Sequence, residues 1–178
     1  MALEAAAPRD GGEMLRILRH LLTPLWIVRL HYPQQLLERI QTRIGEIERR
    51  HPGELRFVVE HALEIGDLVA GLTPRERALE VFGLLRVWDT EHNNGVLIYV
   101  LHAEHAVEII ADRALARAVP QPDWDALCAQ VAREFRAGRF AGGAMAAIEG
   151  AARLLEQHTP EVAHAAVRNE LPDQPLLL

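Results

Sequence analysis

The run Val96-Leu97-Ile98-Tyr99-Val100-Leu101 constrains this chain more than any other segment. Six consecutive apolar residues, several of them β-branched, are too few for a core helix and suit a central strand covered on both faces. Such a strand needs neighbouring strands along its edges and helical layers above and below. The flanking segments supply both.

Upstream, Glu54-Leu55-Arg56-Phe57-Val58-Val59-Glu60 alternates Leu55, Phe57 and Val59 with Arg56, Val58 and Glu60, which reads as a strand with one well-buried face. Thr73-Pro74-Arg75-Glu76 has a capping Thr, a Pro at the first helical position and a Glu three residues after the cap. The helix it opens carries Ala78, Val81, Phe82, Leu85 and Trp88 as an apolar stripe. Asp89 to Gly95 is then a polar loop. After the central run, His102 to His105 makes a tight connection into Ala106–Ala111, a strand expected to pair back antiparallel. Strand, helix and strand make a βαβ unit with a right-handed crossover. The fold class is therefore α/β: a small mixed β-sheet, the βαβ unit plus an antiparallel hairpin strand, covered by α-helices on both faces.

The covering helices are legible too. Leu36, Leu37, Ile40, Ile44 and Ile47 recur at helical spacing after Pro33, with His51-Pro52-Gly53 as the stop. A later pair starts near Asp123, with Trp124, Leu127, Cys128, Val131 and Phe135 on one side, and near Phe140, with Ile148, Ala151, Leu154 and Leu155. Gly142-Gly143 lets helices approach closely. His61 to Leu72 reads as a partly helical loop, Glu161 to Asn169 as a last turn or two of helix, and Leu171 to Leu178 as a mobile tail. Three segments result: residues 1–32 as an N-terminal extension with a basic amphipathic helix, 33–158 as the domain, and 159–178 as a tail.

Composition excludes several functions. The 178 residues carry a net charge of −6 and 5% aromatics, which supplies neither the charge nor the stacking platforms of a nucleic-acid binder. All 19 basic residues are Arg, so no lysine-dependent chemistry is available. There is no serine, which removes serine nucleophiles. The single cysteine, Cys128, precludes a disulfide framework and a multi-cysteine zinc site, and its place in a helix fits a small core residue. Met1 to Gly12 has no basic leader ahead of an apolar core, and Met14–Leu30 is interrupted by Arg16, Arg19, His20, Pro24 and Arg29, so it is no bilayer span. A cytoplasmic protein is the expectation. The same stretch has Leu15, Leu18, Leu22, Leu25 and Trp26 on an apolar side and more Arg than Glu. Packing on the domain and peripheral membrane contact through residues 14–30 are both open.

The topology gathers side chains at two ends of the sheet. At the first, Asp89, Glu91, His92, Asn93 and Asn94 approach Asp112 and Arg113. Several oxygens within one loop, with a carboxylate from a neighbouring strand, suit a hard divalent cation, although an EF-hand is excluded by Asn94 and Val100 at its Gly and Glu positions. The competing reading is an ordinary loop, since Asp, Thr, Asn and Gly bond their own backbone. At the second end, His102, Glu104 and His105 with His61 nearby match neither the zinc deaminase nor the metalloprotease pattern, and read as an exposed hairpin tip.

The stretch Val87-Trp88-Asp89-Thr90-Glu91-His92-Asn93-Asn94-Gly95-Val96-Leu97-Ile98-Tyr99-Val100 resembles the hallmark of the TPM domain, in which a Trp closes a helix and an Asn-Gly loop leads into a Gly-Val-Leu central strand. Val107 to Arg113 resembles the next strand of that family, and Trp124 with Phe135-Arg136-Ala137-Gly138-Arg139-Phe140-Ala141-Gly142-Gly143 its late helix pair. The resemblance implies a helix-covered mixed sheet and a loosely defined function. Plant chloroplast members are described as acid phosphatases, some members bind Ca²⁺ at loops, and bacterial YgcG-like members occur beside LemA-type membrane proteins. The chain lacks the family's N-terminal Val-x-Asp-x-Ala-Gly strand and its Gly-x-Gly-Leu-Glu, having Asp112-Arg113-Ala114-Leu115-Ala116 there. Asn94, Gly95 and Asp112 carry over. The leading expectation is a non-enzymatic binding module with a LemA-like membrane protein as partner. The alternative is a divalent-metal phosphatase in which Asp89, Glu91, Asn94 and Asp112 hold Ca²⁺ or another divalent ion, His92 carries a proton, and Arg113 clamps the phosphate.

Overall fold

The computed structural model describes residues 11–51, 53–158 and 169–178. Glu161 to Arg168, expected to hold a final helical turn, and Pro52 of the stop signal lie outside them. The order is α1 (Gly11–Leu21), α2 (Leu25–His31), α3 (Gln34–Glu48), β1 (Glu54–Glu60), α4 (Ile65–Val69), α5 (Pro74–Leu84), β2 (Gly95–Leu101), a 3₁₀ turn (His102–Glu104), β3 (Ala106–Ala111), α6 (Arg113–Ala118), α7 (Gln121–Arg136), α8 (Phe140–His158) and β4 (Leu176–Leu177). The sheet order is β3-β2-β1-β4, with β1 parallel to β2 and β4, and β3 antiparallel to β2. This is the mixed α/β sheet expected from the sequence.

All seven residues of β2 are buried. Side-chain alternation splits them into two cores. Val96, Ile98 and Val100, with Leu55, Phe57 and Val59 of β1 and Val107 and Ile109 of β3, face α2, α3, α7 and α8. Leu97, Tyr99 and Leu101, with Val58 and Ile110, face Ala78 and Val81 of α5 and Leu68 of α4. β1 is thus buried on both faces, where the alternation of Arg56 and Glu60 suggested one. Glu60 is accommodated by a bidentate bond from Arg77 of α5 (2.9 Å) and by the Tyr99 hydroxyl at 2.6 Å. A buried carboxylate is tolerable only with such partners.

The capping box of α5 forms as its sequence dictates: Thr73 Oγ1 accepts from the Glu76 amide and the Glu76 carboxylate accepts from the Thr73 amide at 2.8 Å. The helix ends at Leu84, before Trp88. Arg86 takes a left-handed conformation (φ 53°), Val87 turns inward, and Trp88 remains exposed under the Arg86 guanidinium. The late helices need bare backbone where they cross. A β-carbon on Gly143 would collide with the Phe135 ring and one on Gly150 with Leu127, whereas Gly142 has room.

The C-terminal residues form an edge of the sheet. Leu178 donates its amide to Val59 O (2.9 Å) and accepts from the His61 amide (3.0 Å). Leu171 is buried, the Glu54 carboxylate accepts the amides of Glu170 and Leu171 at 3.1 and 3.0 Å, and Arg56 donates to the carbonyls of Pro172 and Gln174. The expected mobile tail is therefore a docked strap. Its holding groups come from β1, more than a hundred residues earlier, so its own short, proline-broken pattern could not reveal it.

The strap closes over a buried acid. Glu48 accepts from the Leu55 amide at 2.8 Å, and burial, with Glu54 and Asp173 adjacent, pushes its carboxyl up to about 9. The folded state keeps this proton where the unfolded chain releases it near the ordinary value, so the site costs increasing stability as pH rises from about 4.5 towards 9. Glu48→Gln, which keeps an acceptor for Leu55 and does not titrate, should gain stability relative to wild type by about 2–4 kcal/mol more at pH 8 than at pH 5. Urea unfolding at the two pH values measures this; an equal difference at both would show that Glu48 is ionised in the fold.

Candidate functional site

The first end of the sheet is built by backbone bonds. The Glu54 amide donates to Asn94 O (3.0 Å), the Asp112 amide to Gly95 O (2.8 Å) and the Ala114 amide to Asn93 O (3.1 Å). Thr90 Oγ1 accepts from the Asn94 amide at 3.1 Å, and Asn93 adopts φ 54°, which Asn tolerates. These bonds bring the loop against the end of β3, as the topology predicted. Gly95 is the hinge of this packing: a β-carbon there would drive into the Val87 carbonyl.

The side chains behave less uniformly. Thr90, Asn94 and Asp112 are buried, whereas Asp89, Glu91 and His92 are exposed. Asp89 pairs with Arg86, and the Glu91 amide donates to the Glu170 carboxylate. Asp112 caps α6, its Oδ1 accepting from the Arg113 amide at 2.6 Å, and the Arg113 guanidinium reaches Asn93 Oδ1. Asp112 Oδ2 is buried with no hydrogen-bond partner among the described residues. Among those residues, no three His, Cys, Asp or Glu side chains stand close enough together to hold a metal ion.

The second end is closed over, not an exposed tip. The 3₁₀ turn is tied to the residue that follows β1, the Ala103 amide donating to His61 O (3.1 Å), and α1 lies across it. Glu104 Oε1 accepts from Arg16 Nε at 2.7 Å and from His20 Nε2 at 3.0 Å. His20 Nδ1 accepts from the Leu63 amide at 2.9 Å, which leaves the ring proton on Nε2. Burial raises the Glu104 carboxyl, but the His20 and Arg16 bonds outweigh it and leave it below the ordinary value. Arg16 also donates to Leu72 O. Beside this clamp, His31 Nδ1 and His102 Nε2 are 3.0 Å apart, and His31 stacks on Phe140 at 4.1 Å. Burial, next to His31 and His105, lowers His102 to about 4, so the ring is neutral.

Arg16, His20, His31 and Phe140 were not expected at this end. The available signal was the spacing of Arg16 and His20, one helical turn apart and opposite Leu15, Leu18 and Leu22. α1 packs on the domain by that polar side. Its apolar side points outward: Met14, Leu15, Leu18, Leu21 and Leu22 are exposed, as are Trp26 and Leu30 of α2. No helix among the described residues is long and apolar enough to cross a membrane. The Cys128 thiol is pushed up to about 12 by burial and the nearby Glu108, which fits a packed residue and not a nucleophile.

Gly95→Ala should destabilise the protein by about 3 kcal/mol, the upper end of overpacking costs, because the obstacle is backbone and cannot rotate away. The check is the urea midpoint; a loss below about 1 kcal/mol would mean that the loop can move off β2 freely.

Comparison with known proteins agrees with this architecture. No curated protein matches the chain. The NMR structure of BA42 protein from the psychrophilic bacterium Bizionia argentinensis is similar, with a TM-score of 0.69 and 26% identity over 81% of this chain and 93% of that one. The TPM domain matches residues 34–154, from the start of α3 to near the end of α8, and so spans the central strand, the Asn-Gly loop and the late helix pair. A match over that much of the sequence settles its kinship: the chain belongs to the TPM-domain family.

Proposed function

We propose that this protein is a non-enzymatic interaction module that works at a membrane, with a LemA-like membrane protein as the class of partner implied by its family. The observation that carries the reading is the outward apolar face of α1. An amphipathic helix on a lone domain turns its apolar stripe inward; here Arg16 and His20 hold the polar side down and Leu15, Leu18 and Leu22 face out. Contiguous exposed apolar surface of that kind marks interaction sites.

The tagged full chain should co-sediment with an intact membrane fraction and retain a membrane protein from it. Leu18→Gln/Leu22→Gln should reduce that recovery by roughly tenfold, a modest estimate for two exposed leucines buried on binding. Equal recovery by the variant would remove α1 as the contact.

A second reading is favoured by one atom, the buried, unpartnered Asp112 Oδ2 at the loop edge. A divalent-metal phosphatase would use Asp89, Glu91, Asn94 and Asp112 for the ion, with His92 and Arg113 as proton carrier and phosphate clamp. It requires Asp89 to leave Arg86 and the exposed donors to close on Asp112. Calorimetric titration of chelator-treated protein with Ca²⁺, Mg²⁺, Mn²⁺ and Zn²⁺ tests it: saturable heat lost in Asp112→Asn supports this reading, and no heat with any ion removes it.

A further inference from the structure

The geometry points to an anionic lipid bilayer as the surface that covers the outward face of α1 and α2, an inference that rests on the reading of a module that works at a membrane and assigns this face to lipid, leaving a protein partner to another surface.

Three observations carry it. The apolar residues are grouped, not scattered. Met14, Leu15, Leu18 and Leu21 fall within one side of α1 and Leu22 follows directly after it, and exposures of 48% for Leu18 and 66% for Leu22 place them in solvent. After the break at Pro24, α2 adds Trp26 and Leu30, 65% and 69% exposed, and Trp is the side chain best suited to a headgroup boundary. The orientation is held by four polar contacts: Arg16 and His20 to Glu104, Arg16 to the Leu72 carbonyl, and the Leu63 amide to His20. Rotating α1 to hide its leucines would break all four.

The charge completes the match. Between residues 11 and 31 Glu13 is the only acid and is exposed, as are Arg19 and Arg29 beside the apolar side chains, so with Arg16 held by Glu104 the segment keeps a small basic excess. The whole chain is acidic, at −6, so this basic edge is local. Apolar side chains entering the acyl boundary with guanidiniums at phosphate level is the arrangement of a helix lying in a bilayer surface. A purely apolar partner gives these two arginines no role.

The test uses the full chain and large unilamellar vesicles, of phosphatidylcholine alone or with one quarter phosphatidylglycerol, read by co-sedimentation. Binding is expected to the anionic vesicles, weakly to the neutral ones, and to fall as salt rises. Leu18→Gln/Leu22→Gln should lower the partition coefficient roughly tenfold or more. Arg19→Gln/Arg29→Gln should lower it by about fivefold per arginine and flatten the salt dependence. All four side chains are exposed, so both variants should keep the wild-type thermal midpoint. A blue shift of Trp emission on anionic vesicles, lost in Trp26→Phe, would place α2 in the contact.

Equal binding to both vesicle types, or binding unchanged by the leucine substitutions, overturns the proposal. No vesicle binding, together with leucine-dependent capture of a membrane protein or leucine-dependent self-association, overturns the bilayer while leaving the interaction module standing. Loss of all three overturns both.

Discussion

The burial of β2 on both faces is the constraint from which the rest of the molecule follows. A strand whose every residue is buried cannot lie at an edge, so β1 and β3 pair with it on either side. It cannot be left bare above or below either, so α2, α3, α7 and α8 close one face and α4 and α5 the other. Gly95 sets where this strand begins, because the Val87 carbonyl occupies the place of a side chain and presses the Asn-Gly loop onto the sheet. The Asn-Gly loop of this chain is thus first a packing device.

The two ends of the sheet are finished differently. At the loop end, backbone bonds do the holding, and the polar side chains divide into a buried group, Thr90, Asn94 and Asp112, and an exposed one, Asp89, Glu91 and His92. At the hairpin end, side chains add to the Ala103–His61 backbone bond, and they come from a segment outside the 34–154 match: Arg16 of α1 pairs with Glu104 and His20 hydrogen-bonds it. This clamp turns α1 over. A short helix that could have hidden its leucines instead presents them, with Arg19 beside them, to whatever the domain meets.

Much of this was readable locally. The capping box of α5, the period of α3, the alternation in β1, the tight connection into β3 and the break at Pro24 are written in adjacent residues, and the corresponding elements form. The end of α5 was not, because Trp88 continues the stripe on paper while Arg86 leaves the helix at φ 53°. α6 was missed although its signal was present, an Asp followed by good helix formers, because the apolar run of β3 leads straight into it. The convergence of the Asn93–Gly95 loop with Asp112 and Arg113 was legible from topology alone. The placement of Asp89 against Arg86 was not, since an exposed carboxylate chooses among nearby partners by geometry.

The sequence by itself determined the βαβ unit, the antiparallel return strand and the family, because each rests on a pattern within a few residues or on motifs in a fixed order. Only the tertiary structure decided that Leu176–Leu177 is a strand, that the hairpin turn is covered, and that the leucines of α1 face out. Each of those depends on a partner far along the chain: Arg56 and Glu54 for the strap, Glu104 for Arg16 and His20. A helical wheel shows that α1 has two sides. Which side meets the protein is set by a carboxylate 88 residues away, and that choice exists only once the chain has folded.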